Sequence, residues 1–547
     1  MAKDISTIKE EIYGFAKDYE IFKNNSYINA CFKLTCAAEY RFLDVMAIGM
    51  QSFGKIPVSV FQDKIRGAYR EALKYAYKYC DRPKDDTLEF NIENSELKKT
   101  IDELMSFSDF NQVRNLFEQT QLGRYSVSVN LDKEITFERN KSKRAVDAEL
   151  YARWIDSRKL ELIDRQMNKG IEEKLYSYMA GPNNNVYWDF ADKSFSKLRH
   201  LKDVYKLALE KVNIDTEELD NYDLDNFTTD EFKMVYASLI AISVTNINYH
   251  FVPRMLKRFE MDINKPIVVF ELNKLVDLIS NLTRLKDETI LAVVQKLNYQ
   301  AEFHKDKISI FQPLFIARDT VFFSPSLIYW GLAYSKLLYL LKSDEKYNTL
   351  IPKIAKERED IMTNDLCEFL DNNCPLLYIP NYTVKEGKDA KAEFDLILYD
   401  ENSRKMLLCE LKWFFTGDGE YDMSKIDRKI KDAINNRLKK EEIAKSHLEE
   451  IKEALELDED GDIEIKSCII SKNYSGSDFL EDKLPVFDMY WFKSFIEQNN
   501  FDLAKCFKAF DDNNYLPDMS SVKFSFVPST VEVAGYKIHF EGLGQSK

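Results

Sequence analysis

The sequence predicts an α+β multidomain protein, in which a largely helical N-terminal region precedes an α/β domain with a mixed central sheet. Glycine and proline are sparse, with 16 and 13 residues among 547, and this scarcity of chain breakers favours long helices. Helical periodicity dominates the first part of the chain, whereas strand and helix patterns alternate after it. We predict three parts: a helical domain at 1–195 with a β-hairpin near 124–138, a mainly helical domain at 196–345, and an α/β domain at 346–547 with a β-rich tail.

Composition and charge indicate an ordinary soluble globular chain. Hydrophobic residues make up 45% and charged residues 31% of the sequence, and the formal net charge is −15. Because a negative chain repels nucleic acid and anionic membranes, a nucleic-acid site would have to be a local basic surface. The sequence has no apolar run of membrane-spanning length and no apolar signal core, so we expect a cytoplasmic protein without a membrane partner.

Cysteine and histidine spacing predicts no zinc site. The eight cysteines include no CxxC pair, and no two of the five histidines have the i, i+4 spacing of a helical metal site. We therefore expect free thiols in a reducing compartment and no metal centre that depends on histidine.

Helices and short strands are predicted along the first 345 residues. A helical period is clearest at 58–80, where Val60, Ile65, Tyr69, Leu73 and Tyr77 lie near one face. Strand patterns occur in "RYSVSVNLDKEITFE", in "PIVVFEL" and at 307–324, and helical patterns occur at 142–180 and in "SLIYWGLAYSKLLYLLKS".

The pattern after residue 350 predicts the order α-β-β-β-α-β, with a further strand and helix after it. Such alternation favours a mixed sheet with helices on its faces. The segments in order are "IAKEREDIMTNDLCEFLDNN", "YIPNYTV", "AEFDLILYD", "RKMLLCELKWF", a charged helical region at 422–457, "IEIKSCIIS", "LPVFDMY" and "WFKSFIEQN", and two or three antiparallel strands follow in the tail.

Four charged residues interrupt two of these strands, which are otherwise apolar, namely Glu393, Asp395, Glu410 and Lys412. If "ENSR" forms the loop between the strands, the ladder places Asp395 opposite Glu410. It also places Glu393 opposite Lys412. Two facing carboxylates repel each other unless a cation lies between them, and Mg²⁺ or Mn²⁺ prefers such oxygen ligands. The alternative is a hairpin whose charges are solvated or form salt bridges.

This stretch resembles the PD-(D/E)xK nuclease superfamily, whose fold is restriction-endonuclease-like. The family pattern is Asp on one strand and (Asp/Glu)-x-Lys on the next, which here would be Asp395 and Glu410-Leu411-Lys412. The proline is absent, and "AEFD" is similar to the Glu-x-Asp variant of Mrr-like and Holliday-junction-resolvase-like members. These members often carry a glutamate on the preceding helix, and the candidates for it are Glu359, with Glu357 and Glu368 as competitors. The resemblance covers about residues 350–495.

The resemblance implies a metal-dependent phosphodiesterase, namely a DNA endonuclease of a bacterial restriction or antiphage defence type, with Mg²⁺ or Mn²⁺ as cofactor. It implies metal ligation by Asp395, Glu410, the Leu411 carbonyl and Glu359. Lys412 would orient or help deprotonate the attacking water and stabilise the developing charge. Glu393 or Glu359 would hold a second metal or a metal-bound water.

Two expectations accompany this interpretation. The N-terminal region would recognise substrate, a trigger, a protein partner or a second copy of the chain. Replacing Asp395 or Glu410 with alanine would slightly stabilise the metal-free protein, because it relieves carboxylate repulsion. The alternative function is a catalytically inactive nuclease-fold protein that acts as a nucleic-acid-binding or assembly module.

A basic surface is predicted on the helical segment after the motif. An apolar seam recurs every four residues at Ile426, Ile430, Ile434 and Leu438. The polar face, which would bind phosphates, carries Lys425, Arg428, Lys429, Lys431, Arg437, Lys439 and Lys440. The alternative is an ordinary solvated helix face.

A second Glu-x-Lys in a predicted strand, Glu464-Ile465-Lys466, competes with the first. No Asp-bearing strand immediately precedes it, because the upstream region is a long predicted helix. We therefore prefer Glu410 and Lys412 as the motif.

Overall fold

The computed structural model describes residues 5–545 with several gaps. The segments outside the described residues are 52–57, 84–86, 122, 131–132, 143–145, 148, 152, 155–168, 181–197, 217–218, 220–221, 256–265, 300–311, 348, 387–388, 415–419, 458–460, 473–483 and 520–521. Parts of the helix predicted at 142–180 and of the strand predicted at 307–324 therefore lie outside the described residues.

Helices dominate the first 345 residues, as predicted. They are α1 (Ile5–Tyr13), α2 (Glu20–Lys23), α3 (Tyr27–Gln51), α4 (Val58–Tyr79), α5 (Asn94–Gln121), α6 (Lys169–Ala180), α7 (Leu198–Asp215), α8 (Thr229–Met255), α9 (Leu272–Thr283), α10 (Asp287–Lys296), α11 (Pro325–Tyr329) and α12 (Ala333–Ser343). Three residues of the predicted face of α4 are buried, since Ile65, Tyr69 and Leu73 are each at most 4% exposed. Tyr77 is half-buried, and the side chain of Val60 lies outside the described residues.

The helix predicted over "SLIYWGLAYSKLLYLLKS" is interrupted between α11 and α12. Gly331 lies at the break, where a Cβ would be 2.6 Å from the carbonyl oxygen of Leu327. The chain turns too tightly there for a side chain, and the second helix begins two residues later.

Short strands accompany the helices. The hairpin predicted near 124–138 is confirmed as β1 (Tyr125–Val129) and β2 (Glu134–Arg139), which pair antiparallel. The strand predicted in "PIVVFEL" is also confirmed, and it forms an antiparallel three-stranded sheet of order β3-β5-β4, whose strands are β3 (Val268–Glu271), β4 (Phe315–Ala317) and β5 (Thr320–Phe323).

A mixed five-stranded sheet forms after residue 350, in the predicted order of elements. Its strands have the order β10-β9-β8-β7-β6. Strand β7 pairs antiparallel with both β6 and β8, whereas β9 pairs parallel with both β8 and β10. The elements are α13 (Leu350–Asn373), β6 (Leu377–Glu386), β7 (Asp389–Asp400), β8 (Lys405–Trp413), α14 (Glu420–Ser446), α15 (Leu448–Ala454), β9 (Glu464–Lys472), β10 (Val486–Asp488), α16 (Met489–Gln498) and α17 (Leu503–Asp511), of which α17 was not predicted.

Helices cover both faces of this sheet, which explains why β8 is an almost continuous apolar run. On one face, Leu407 and Leu411 belong to the same core as Met362 of α13. On the other face, Leu408 packs in a core with Ala444 of α14. The charged positions of β8 therefore lie in a largely buried strand.

The C-terminal tail forms two strands, β11 (Phe524–Val533) and β12 (Tyr536–Gln545), which pair antiparallel. Strand β12 also pairs parallel with β2, which gives a four-stranded sheet of order β1-β2-β12-β11. Ile538 and Ile135 share the core of this sheet and are both 0% exposed. The tail, which the sequence grouped with the C-terminal region, thus completes the sheet of the N-terminal hairpin.

A buried carboxylate joins α3 to the start of α11. Glu39 is 0% exposed and accepts hydrogen bonds from the Ser324 hydroxyl at 2.5 Å and the Ser326 hydroxyl at 2.7 Å. The Ser326 backbone N–H adds a third at 3.0 Å. Burial nevertheless dominates these bonds and raises the pKa of Glu39 to about 7.

Within the described ranges, none of the helices combines the length and the apolar character that crossing a membrane requires.

Candidate active site

The ladder between β7 and β8 has the register that the four-residue loop predicted. It runs from the pair Asp400–Lys405 to the pair Leu396–Cys409. The next position in this register places Asp395 opposite Glu410.

Carboxylates bind two backbone donors of β8 just past the end of this ladder. The N–H of Leu411 donates to Oδ2 of Asp395 at 2.7 Å. The N–H of Trp413 donates to Oε1 of Glu359 at 3.3 Å. The end of β8 therefore binds one carboxylate from β7 and one from α13.

Lys412 lies close to oxygens of three of these residues. Its Nζ lies 3.0 Å from Oε1 of Glu410 and 3.1 Å from the carbonyl oxygen of Leu411. Oε1 of Glu359 is 3.8 Å away. These oxygens belong to three of the four predicted metal ligands, so in this structure the ammonium supplies the positive charge among them.

The second oxygen of Glu410 is held by the helix that follows the motif. Oε2 contacts Nζ of Lys440 at 2.8 Å and Nη1 of Arg437 at 3.4 Å. Arg437 is 0% exposed, and its guanidinium lies 4.9 Å from the ring centroid of Phe394. Each oxygen of Glu410 therefore has a cationic partner.

The pKa values in the cluster follow from burial and these charges. Burial raises the pKa of Asp395, and the nearby charge of Glu410 raises it further. Burial also raises the pKa of Glu359, although Lys412 opposes the shift. Burial alone would raise the pKa of Glu410, but Lys412 and Lys440 outweigh it and lower that pKa.

Lys412 itself remains a cation. Burial favours its neutral form, but Glu410, Glu359 and Asp395 outweigh burial and raise its pKa. At neutral pH the side chain is therefore protonated in the arrangement described here.

The donor set fits a hard divalent ion, although its side chains are engaged with the protein's own cations. Carboxylates and a backbone carbonyl are the ligands that Mg²⁺ and Mn²⁺ prefer. Among the described residues no three His, Cys, Asp or Glu side chains are grouped so as to hold a metal ion. Glu410 would have to turn from its lysines toward an ion.

Three other glutamates that the sequence offered as site residues lie outside the cluster. Glu393 is exposed and pairs with Lys356 of α13 at 3.3 Å, so the predicted cross-strand pair with Lys412 does not form. Of the three candidate glutamates on α13, only Glu359 among the described contacts reaches the cluster. Glu357 accepts a hydrogen bond from Tyr222, and Glu368 is exposed.

The predicted basic face of α14 divides into exposed and buried members. Arg428, Lys429 and Lys431 are exposed, and the side chain of Lys425 lies outside the described residues. The prediction that Arg437 is a surface phosphate contact is wrong, because this residue is buried and paired with Glu410. The physical reason is spacing: Arg437 lies three residues after Ile434 and thus on the same buried stripe.

The competing Glu-x-Lys motif forms surface ion pairs. Glu464 pairs with Lys405, and Lys466 pairs with Asp511. The two lysine ammoniums lie 5.2 and 5.3 Å from the ring centroid of Phe507. This arrangement explains both charges of the motif by local packing.

Comparison with known proteins found no relative of this chain. No protein-family model, curated protein or solved structure matches this chain.

Proposed function

We propose that this protein is a metal-dependent nuclease that hydrolyses phosphodiester bonds at the cluster of Asp395, Glu410 and Lys412. The observation that supports this most is the position of the Lys412 ammonium, which lies among oxygens of Glu410, Leu411 and Glu359. The motif also lies on two neighbouring antiparallel strands that a helix follows, which is the context in which the PD-(D/E)xK superfamily carries it.

Four groups would hold Mg²⁺ or Mn²⁺: the carboxylates of Asp395, Glu410 and Glu359, and the Leu411 carbonyl. When bound, the ion would polarise the phosphodiester and acidify the attacking water. The protein's part is to orient these oxygens, and the N–H of Leu411 does so for Asp395.

Lys412 acts as a fixed positive charge in this proposal. In the arrangement described here, Glu410, Glu359 and Asp395 raise the pKa of Lys412. As a cation it would stabilise the charge that develops on the phosphate and orient the water by donating hydrogen bonds.

The proposed substrate is DNA, in a bacterial restriction or antiphage defence setting, as the resemblance implies. Arg428, Lys429 and Lys431 are exposed on α14 and supply local positive charge on an acidic chain. All eight cysteines are free thiols, which suits the proposed location in a reducing cytoplasm.

One observation favours the alternative function, a catalytically inactive binding or assembly module. Glu410 is paired with Lys412, Lys440 and Arg437, so the cluster is electrostatically satisfied without a metal. The two functions differ in one measurable property, which is metal-dependent cleavage.

The experiment is a cleavage assay on the purified full-length protein. Supercoiled plasmid, linear duplex DNA, single-stranded DNA and RNA are each incubated with Mg²⁺, Mn²⁺ or EDTA. We expect cleavage of DNA with either metal, none with EDTA, and none by Asp395→Asn. Binding of DNA with no cleavage of any substrate under any of these conditions would instead support the binding module.

A further inference from the structure

Two cations bind the same oxygen of Glu410 but differ in their access to solvent. The side chain of Arg437 is 0% exposed, whereas that of Lys440 is 25% exposed. Lys412, on the other oxygen, is 28% exposed. Lys440 thus resembles the candidate active-site lysine in exposure, although it comes from a helix and not from the motif.

A metal ion on Glu410 would change the position of Lys440 but not that of Arg437. A divalent ion bound to the carboxylate would repel an ammonium that lies 2.8 Å from the same group. The flexible stem of Lys440 and its partial exposure allow it to turn away. The side chain of Arg437 is 0% exposed and packed against Phe394, so it is not free to turn into solvent as Lys440 is.

We propose that Lys440 exchanges partners: it holds Glu410 in the ligand-free protein and binds a phosphate oxygen of the nucleic acid when a metal takes Glu410. This inference rests on the proposed nuclease function. Phosphate is the matching partner because an ammonium released beside the site needs a new anion, and the substrate supplies one there. Lys440 would then be a substrate-binding residue outside the Asp395–Glu410–Lys412 motif.

The exchange and a purely structural role make opposite predictions for metal affinity. If Lys440 competes with the metal for Glu410, its removal should tighten metal binding. If Lys440 only holds Glu410 in a binding-competent orientation, its removal should weaken metal binding. The sign of the change therefore separates the two roles without any measurement of activity.

The test is a calorimetric Mn²⁺ titration of the full-length protein, as wild type, Lys440→Ala, Lys440→Arg and Lys445→Ala. We expect Lys440→Ala to bind Mn²⁺ roughly three- to tenfold more tightly in the absence of nucleic acid. Lys440→Arg should remain near wild type, because it keeps the competing charge. Lys445→Ala is the matched control on the same helix, where Lys445 pairs with Glu441 and Glu442 at the surface, and it should not change the affinity.

Cleavage kinetics supply the second measurement. Loss of a phosphate contact should raise the KM of Lys440→Ala for duplex DNA about tenfold and lower kcat less. A wild type that cleaves DNA, with weaker or unchanged Mn²⁺ binding in Lys440→Ala, would overturn the exchange and leave the nuclease proposal intact. Tighter Mn²⁺ binding in the variant of a protein that cleaves no nucleic acid would support the competition at Glu410, and it would overturn both the nuclease proposal and the phosphate half of the exchange.

Discussion

Nζ of Lys412 lies 3.0 Å from Oε1 of Glu410, two residues earlier on the same strand. Because residues two apart in a strand point to the same face, the ion pair follows directly from the Glu-x-Lys spacing. The pair gives Glu410 a cation in the absence of metal, and in the proposed nuclease it would supply a lysine to stabilise the phosphate charge.

The first prediction concerns Lys412→Ala. The substitution leaves the carboxylates of Asp395, Glu410 and Glu359 in place and removes a competing cation, so Mn²⁺ affinity should be unchanged or higher. Cleavage should fall by a factor of about 10² or more, because the water and the phosphate lose an oriented charge. Calorimetry and cleavage rates on the same preparation measure both effects. A loss of Mn²⁺ binding would instead make Lys412 a support for the ligands.

The second prediction corrects the expectation that removing Glu410 stabilises the metal-free protein. Glu410→Ala would leave Arg437 buried without its carboxylate, and a buried charge that loses its partner is strongly destabilising. We expect the free energy of unfolding in EDTA to fall by about 3 kcal/mol. Urea unfolding of wild type and variant measures this change in free energy. An unchanged midpoint would show that Arg437 can remain buried without a carboxylate partner at no cost in stability.

The third prediction is that removing the charge of Asp395, which faces Glu410, does not destabilise the metal-free protein. Burial and the charge of Glu410 raise the pKa of Asp395, so its ionised form is disfavoured in the folded protein. Asp395→Asn removes that charge and keeps an oxygen for the N–H of Leu411, so stability in EDTA should be equal to wild type or higher. Cleavage should be lost. Urea unfolding under the conditions used for Glu410→Ala allows a direct comparison of the two sites.

The fourth prediction concerns Glu393→Ala. Glu393 is exposed and pairs with Lys356 at the surface, and such pairs contribute about 0–1 kcal/mol. We therefore expect the free energy of unfolding of the variant to be lower than that of wild type by no more than this contribution. Its cleavage rate should lie within a few-fold of the wild-type rate. A loss of cleavage comparable to that of Asp395→Asn would place Glu393 in the reaction, as the sequence suggested.

The fifth prediction is a pH dependence that arises far from the cluster. Burial raises the pKa of Glu39 from 4.5 to about 7, so the folded protein holds a proton that the unfolded chain releases between these values. As pH rises through this window, Glu39 therefore lowers wild-type stability by roughly 3 kcal/mol, with no further loss above it.

Glu39→Gln isolates this contribution. Because glutamine does not titrate, the stability of the variant relative to wild type should increase from pH 4.5 to about 7. Guanidinium unfolding of both proteins at several pH values measures the difference, which cancels the titration of all other groups. A constant difference across the window would contradict the raised pKa.

Much of the sheet that carries the site could be predicted because its sequence signals are local. The loop "ENSR" set the register of β7 and β8, and the pair Asp400–Lys405 forms as that loop requires. Alternation along β8 likewise placed Glu410 and Lys412 on one face. These relationships depend on neighbours in the chain and need no knowledge of tertiary structure.

The partners of the site residues depend on tertiary packing, and the sequence did not reveal them all. The buried role of Arg437 was missed because basic residues on a helix were assigned to its polar face. Its spacing from Ile430 and Ile434 could have indicated burial. The pairing of β12 with β2 joins segments about 400 residues apart, and no local pattern in either strand specifies it.

The most direct test of the central claim compares two glutamates that occupy the same motif on neighbouring strands. Plasmid cleavage in Mg²⁺ is measured for wild type, Glu410→Gln and Glu464→Gln. Both substitutions keep the shape of the glutamate side chain and remove its charge. We predict that Glu464→Gln cleaves at the wild-type rate, because Glu464 only pairs with lysines at the surface, and that Glu410→Gln is at least about 100-fold slower. Undiminished cleavage by Glu410→Gln would contradict the account and move the hydrolytic centre away from this cluster.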